Sequence, residues 1–284
     1  MKTVATYWAL TKPGITRLVT LTAAAGFWLG ARGNVDLALL AQTLVGTGLV
    51  VGGTNALNQW WERDADARMH RTRRRPLPAG GLRPGAALAF AIVMSIAGLV
   101  WLAMLVNTLT ALLAGLSLVT YIFAYTPLKR RTPLALFVGA VPGALPILGG
   151  WTAAGAGLTA PGWVLFGILF LWQIPHFLAL GWLYREDYLR GGFSMLSRDD
   201  HDGRVTGRQA LFFAAALLVA SLVPAWVGLA GLPYLGGAVV LGLALVGWSA
   251  ALWHAPTPVG ARRLFLASVV YLPALLLLLV TLPR

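Results

Sequence analysis

Nine stretches of about 20 predominantly apolar residues follow one another along the chain, and no other feature limits its fold so severely. They run over roughly 14–31, 37–57, 86–106, 108–126, 134–154, 162–183, 209–230, 233–253 and 262–282. A helix of that length crosses the hydrocarbon core of a bilayer, and a helix satisfies its own backbone N–H and C=O groups there. The whole-chain balance agrees. Of 284 residues 58% are hydrophobic and 11% charged, with a mean hydropathy of +0.75, whereas average soluble chains are about 25% charged. The fold expected is all-α: a polytopic membrane bundle of about nine transmembrane helices, in one integral-membrane domain over residues 1–284. The absence of cysteine removes thiol catalysis, disulfides, zinc–thiolate sites and iron–sulfur clusters.

Charge placement gives the orientation. There are 22 Lys and Arg against 9 Asp and Glu. Counted by connection, 20 of the basic residues fall on one side and only Arg32 and Arg284 on the other. That is the positive-inside pattern; it puts the N-terminus in the cytoplasm and makes the formal charge of +13 a signature of topology, with no nucleic-acid partner. The absence of an organelle-targeting extension suggests a bacterial plasma (inner) membrane. Two connections are long, about 58–85 and 184–208, and both would lie on the cytoplasmic side as caps.

Eight of the nine carboxylates belong to those two connections: Glu62, Asp64 and Asp66 in the first, and Glu186, Asp187, Asp199, Asp200 and Asp202 in the second. The positive-inside rule does not ask for them, and acids beside membrane helices are costly and usually functional. If the second span stays helical past its apolar stretch, Asn58, Glu62 and Asp66 recur every four residues on one face. Asp64 then points about 120–160° away, at about 100° per residue. Oxygen donors of this kind suit a hard cation such as Mg²⁺. Five arginines between 68 and 75 follow, and guanidinium groups suit a phosphate or diphosphate. A solvated, salt-bridged helix end is the plainer alternative. Lys129-Arg130-Arg131 after the fourth span is either pure topology or a clamp on a diphosphate leaving group. His176, in Pro175-His176-Phe177, is either a packed, hydrogen-bonded residue or a pocket residue touching an acceptor. On an unbroken helix it would share a face with Asp187, eleven residues on. Asp199, Asp200 and Asp202 form a mobile lid or are simply solvated.

These residues carry a resemblance. Asn58-x3-Glu62-x-Asp64-x-Asp66, followed by Arg71-Thr72-x2-Arg75-Pro76-Leu77, resembles the first aspartate-rich motif of the UbiA-type intramembrane prenyltransferases, with Glu62 where that family usually has Asp. Within it, Pro175-His176-Phe177, Glu186-Asp187-Tyr188, Gly192 and Met195-Leu196 are similar to the protohaem IX farnesyltransferases, as is Tyr125-Thr126 with Leu128 to Thr132. The resemblance implies helices around a central cavity and the transfer of a farnesyl group from farnesyl diphosphate to a vinyl group of haem B. Water adds to the product, giving haem O and diphosphate. It implies Mg²⁺ held by Asn58, Glu62, Asp64, Asp66 and Asp187, with Asn58, Glu62, Asp66 and Asp187 catalytic. Arg71, Arg75, Lys129 and Arg130 would bind the diphosphate, and His176 and Tyr184 the haem. Membrane lipid surrounds such an enzyme, and a haem A synthase is a candidate partner. The rival readings are a prenyltransferase with an aromatic or quinone-precursor acceptor and, in another class, a transporter.

Overall fold

The computed structural model describes residues 2–282, and the regular structure there is helical throughout. The helices are α1 (Lys2–Leu10), α2 (Pro13–Ala31), α3 (Leu37–Asp66), α4 (Pro84–Leu105), α5 (Thr108–Leu128), α6 (Ala135–Ala153), α7 (Ala160–Leu183), α8 (Arg185–Gly191), α9 (Arg204–Ala220), α10 (Leu232–His254) and α11 (Pro258–Thr281). Local sequence sets their starts. Asp36, Asn107 and Thr257 accept a backbone N–H from the first turns of α3, α5 and α11. Proline opens α2, α4, α7, α10 and α11, where its missing N–H costs nothing.

Among the described residues, eight helices are long and apolar enough to cross a membrane: α3 to α7, α9 with its continuation to Trp226, α10 and α11. The stretch expected first, 14–31, folds as α2 but is not one of the eight, because Arg17 and the threonines at 16, 20 and 22 dilute its apolar content. Those three hydroxyls donate to backbone carbonyls one turn or so back along the chain. Arg284, one of the two basic residues counted on the outer side, lies outside the described residues.

Two compact units make up the chain. The first comprises Met1–Gly157 and Glu186–Phe193, and the second Leu158–Arg185 and Ser194–Arg284. In the first, α2 packs on α3 and α6, α3 on α4, and α5 on α6. Glycine makes the α2–α6 contact possible. A Cβ on Gly26 would run into the Ile147 carbonyl, and one on Gly150 into the Ala23 carbonyl. Backbones that close are the membrane form of helix packing, in which dispersion contacts replace a hydrophobic drive. In the second unit, α7 packs on α9 and α11, and α10 on α9 and α11.

The two long connections are more ordered than expected. α3 runs on for 30 residues to Asp66, about 45 Å at 1.5 Å per residue. That exceeds a hydrocarbon core of about 30 Å, so the polar end of α3 extends beyond its apolar stretch. The second connection contains α8 and a turn of 3₁₀ helix over Leu196–Arg198. Asp200 is neither solvated nor part of a free lid. It is buried and accepts the backbone N–H groups of Val205 and Thr206 at the start of α9.

Candidate active site

The candidate site lies wholly within the first unit, on the last turns of α3. Asn58, Glu62 and Asp66 fall on one face, as their spacing predicts, and are buried to 1%, 4% and 1% exposure. Asp64 does not join them. Its side chain is 79% exposed and lies 3.7 Å from Arg63, because two residues along a helix turn the side chain most of the way round. Asp64, expected among the metal ligands, thus stands apart from the other three on α3.

One cation meets each of the three buried groups. Lys12 Nζ donates to Asn58 Oδ1 at 2.8 Å. Lys129 Nζ lies 2.7 Å from Glu62 Oε1, and Arg75 Nη1 donates to Asp66 Oδ2 at 2.7 Å. Buried carboxylates are tolerated when each is paired and hydrogen-bonded. The three cations come from three separate parts of the unit.

Lys12 sits in the link between α1 and α2 with φ 47°, a left-handed conformation uncommon for a residue with a Cβ. Amides on α3 hold the link there. Gln59 donates to the carbonyls of Ala9 and Leu10, and Asn55 to the Thr11 carbonyl and the Thr16 hydroxyl. Burial lowers the Lys12 pKa to about 7, with repulsion from Arg75 second.

Lys129 is placed by an irregularity in α5. Residues Thr120–Tyr125 form a π-helical turn, which accommodates one residue more than an α-turn; such turns are frequent at functional sites. Thr126 Oγ1 donates to the Tyr121 carbonyl, five residues back, at 2.8 Å. Asn58 Nδ2 reaches the same hydroxyl at 3.4 Å. The Lys129 ammonium lies 4.9 Å from the ring centres of both Tyr125 and Phe193, within cation–π range. Burial alone would lower its pKa, but the charge and hydrogen bond of Glu62 outweigh that and leave it raised.

Arg75 belongs to the turns between α3 and α4, and Asp187 holds them. Asp187 accepts the backbone N–H of His70 at 3.1 Å and of Arg71 at 3.0 Å, and pairs with Arg190 at 3.1 Å. Thr72 donates to the Asp66 carbonyl, and Arg68 to that of Gly191. Burial would raise the Asp187 pKa, but the two backbone N–H groups and nearby cationic charge bring it below the usual value. These contacts give Asp187 a holding task beside the metal ligation expected of it. Its alignment with His176 fails, since α7 ends at Leu183 and Asp187 rides on a separate helix.

The remaining expected residues are placed as follows. Arg71 and Arg130 are exposed, the former with its guanidinium 5.9 Å from the Tyr188 ring centre. Tyr184 stands exposed just past the end of α7 in the second unit. His176, on α7, has Nδ1 2.8 Å from the Ser268 hydroxyl. Lys12, Asn55 and Gln59 were not singled out by sequence. Their only signal is amides at 55, 58 and 59 close to an acidic helix end, and a Lys-Pro pair at the head of α2.

Asn58, Glu62 and Asp66 supply only oxygen donors, buried and on one face, a chemistry that fits Mg²⁺. The three cations beside them suit the oxygens of a diphosphate.

Comparison with known proteins gives a consistent result. Residues 19–277 match the model of the UbiA prenyltransferase family. The protoheme IX farnesyltransferase of Solibacter usitatus is 48% identical over 276 residues, covering 94% of both chains. That of Salinibacter ruber is 46% identical, covering 96% of both. Among solved structures, a digeranylgeranylglyceryl phosphate synthase in membranes aligns with a TM-score of 0.81 at 18% identity, over 99% of this chain and 98% of that one. A UbiA homolog from Archaeoglobus fulgidus bound to GPP and Mg²⁺ aligns at 0.69 with 14% identity, over 96% and 99%.

Proposed function

The chain belongs to the UbiA prenyltransferase family, and we propose that it is the member that farnesylates haem. It transfers the farnesyl group of farnesyl diphosphate to a vinyl group of protohaem IX and makes haem O and diphosphate. Near-full-length likeness to several protoheme IX farnesyltransferases at 46–48% identity supports this reading. The observation that carries the chemistry is the set of three buried oxygen-bearing side chains, Asn58, Glu62 and Asp66, each matched to one cation.

Asn58, Glu62 and Asp66 are the groups that would hold Mg²⁺, which when bound supplies Lewis-acid stabilisation of the departing diphosphate. Lys12, Lys129 and Arg75 neutralise the charge that develops on the leaving oxygen, with the exposed Arg71 and Arg130 drawing the substrate in. Asp187 keeps the Arg75 turn in place. The allylic C–O bond breaks with its electron pair left on diphosphate. A vinyl carbon of haem then bonds to the farnesyl C1. Water adds to the cation left beside the porphyrin ring and loses a proton, leaving a hydroxyethylfarnesyl group. His176 and Tyr184 are assigned to haem. The enzyme is a multi-pass membrane protein; we place it in a bacterial inner membrane with its N-terminus and the diphosphate site at the cytoplasmic side. Residues 1–284 are taken as one prenyltransferase domain, and a haem A synthase as the consumer of its product.

The test is extraction of haems from membranes that express the chain in a host lacking its own haem O synthase, resolved by reversed-phase chromatography and mass. A later-eluting haem heavier by one farnesyl group plus water is the expected product. Haem B alone, from membranes containing folded protein and supplied with farnesyl diphosphate, would turn the assignment to an aromatic acceptor.

A further inference from the structure

The second unit contains an imidazole that the diphosphate chemistry leaves unused, and its hydrogen bonding is directional. We propose that Ser268 is a positioning residue: its hydroxyl fixes His176 with the proton on Nδ1, so that Nε2 carries the lone pair that ligates the iron of the acceptor haem. This rests on the reading that the acceptor is haem, and narrows the role of His176 to one atom.

Ser268 Oγ lies 2.6 Å from the Phe265 carbonyl oxygen and 2.8 Å from His176 Nδ1. A hydroxyl has one hydrogen, and a carbonyl oxygen only accepts. The hydrogen therefore goes to Phe265, and Oγ is left as an acceptor toward the ring. Nδ1 must then be the donor. In a neutral imidazole the other nitrogen is consequently bare. Among the described residues the ring's hydrogen bonding is confined to Nδ1.

The ring is also held in orientation. Trp172 stacks on it at 5.0 Å and 25°, Phe265 lies at 4.9 Å and 34°, and Phe177 meets it edge-on at 5.3 Å. Trp172 donates its indole N–H to the Ser268 carbonyl at 2.7 Å. Two residues one turn apart on α7 thereby grip a single residue of α11, and the three rings against the imidazole are uncharged. His176 is only half-buried, and Nε2 is not among the buried polar atoms left without a partner; it is open to a ligand from outside the ring's own packing. One nitrogen tied to the protein and the other bare is how metal-ligating histidines are prepared. A propionate contact at Nε2 would need a proton there, the opposite tautomer.

The experiment uses the full chain in lipid nanodiscs, with haem B added and followed by absorbance and by resonance Raman of the ferrous form. His176→Ala should lose the iron–imidazole band. Ser268→Ala should stay folded, weaken haem binding by about 10–100-fold, the usual cost of removing an outer-shell partner, and shift that band. Ser268→Thr, which keeps the hydroxyl, should restore both, and farnesyl diphosphate binding should be unchanged throughout. If Ser268→Ala does not fold, Ser268→Cys, a weaker acceptor, carries the test, and an unshifted band overturns the proposal. A wild type that makes haem O while His176→Ala keeps the iron band overturns the ligation and leaves the activity standing. Loss of the band in His176→Ala with wild-type behaviour in Ser268→Ala overturns the role of Ser268. A wild type that neither binds haem nor makes haem O removes the functional reading itself, and this inference with it.

Discussion

Replacing Asp187 by Asn separates two roles for one carboxylate. Its oxygens accept the backbone N–H groups of His70 and Arg71. An Asn keeps one acceptor but turns its amide N–H₂ toward the other backbone N–H, so one bond is lost. Hydrogen bonds to charged groups contribute about 1.5–3 kcal/mol each. Because His70 and Arg71 are exposed, water replaces part of that, and we expect a loss of about 2 kcal/mol in local order. At 1.4 kcal/mol per decade this is about thirty-fold. Hydrogen–deuterium exchange in nanodiscs should show residues 68–75 opening about thirty-fold more often, with farnesyl diphosphate affinity falling in parallel as Arg75 loses its place. The Mg²⁺ concentration for half-maximal turnover should stay within a few-fold. Unchanged exchange over 68–75, with a Mg²⁺ requirement raised tenfold or more, would return Asp187 to the metal and dismiss the holding role. The pH dependence has a definite sign. The folded-state pKa of Asp187 is lowered from 3.8, so the charged form holds the turns. Its contribution is complete above the unfolded value and disappears as pH falls through the folded one. Exchange over 68–75 should therefore be insensitive to Asp187 between pH 5 and 8, within the flat region above about pH 5 that linkage predicts for such a group.

Other consequences follow from the same geometry. Lys129→Met leaves the buried Glu62 charge without its partner and should destabilise the protein by about 3–5 kcal/mol; adding Glu62→Gln should recover most of the stability in a detergent melt but none of the turnover. Asp64→Ala should retain turnover within about two-fold, as expected of an exposed position; a tenfold loss would place Asp64 back at the metal. Gly150→Val should lower the midpoint of thermal unfolding, with about 1–3 kcal/mol of overpacking between α2 and α6, and a melt unchanged from wild type would contradict the backbone contact. Chelation should stop haem O formation and Mg²⁺ should restore it; indifference to chelator removes the metal from Asn58, Glu62 and Asp66.

Helical periodicity made part of this site legible. The face shared by Asn58, Glu62 and Asp66 and the outward turn of Asp64 both follow from 100° per residue once α3 is allowed to continue. Eight of the nine expected spans were legible because lipid leaves few alternatives. Lys12 was not, since nothing near it in sequence records a partner 46 residues on. The helix that carries Asp187 was misread for a related reason. Spacing placed it on one helix with His176, but the chain leaves helical geometry at Tyr184, where φ is −110° and ψ 27°. Residue type told that Asp187 is an acid beside arginines; which N–H groups its oxygens face is a tertiary fact.

The π-turn in α5 leaves a mark that no substitution scan would find. It belongs to chain length and not to any one side chain, since the surplus residue could be any of the six between Thr120 and Tyr125. Removing one residue there would take out the surplus, restore an unbroken α-helix and leave Thr126 and Lys129 facing as they do now. Winding the same residues as α-helix with none removed would instead rotate everything after them by about 100°. Thr126 would then leave Asn58, and Lys129 would leave Glu62. The span would still insert, since its apolar content is unchanged. The winding of one turn thus separates an inserted protein with a functional site from an inserted protein without one.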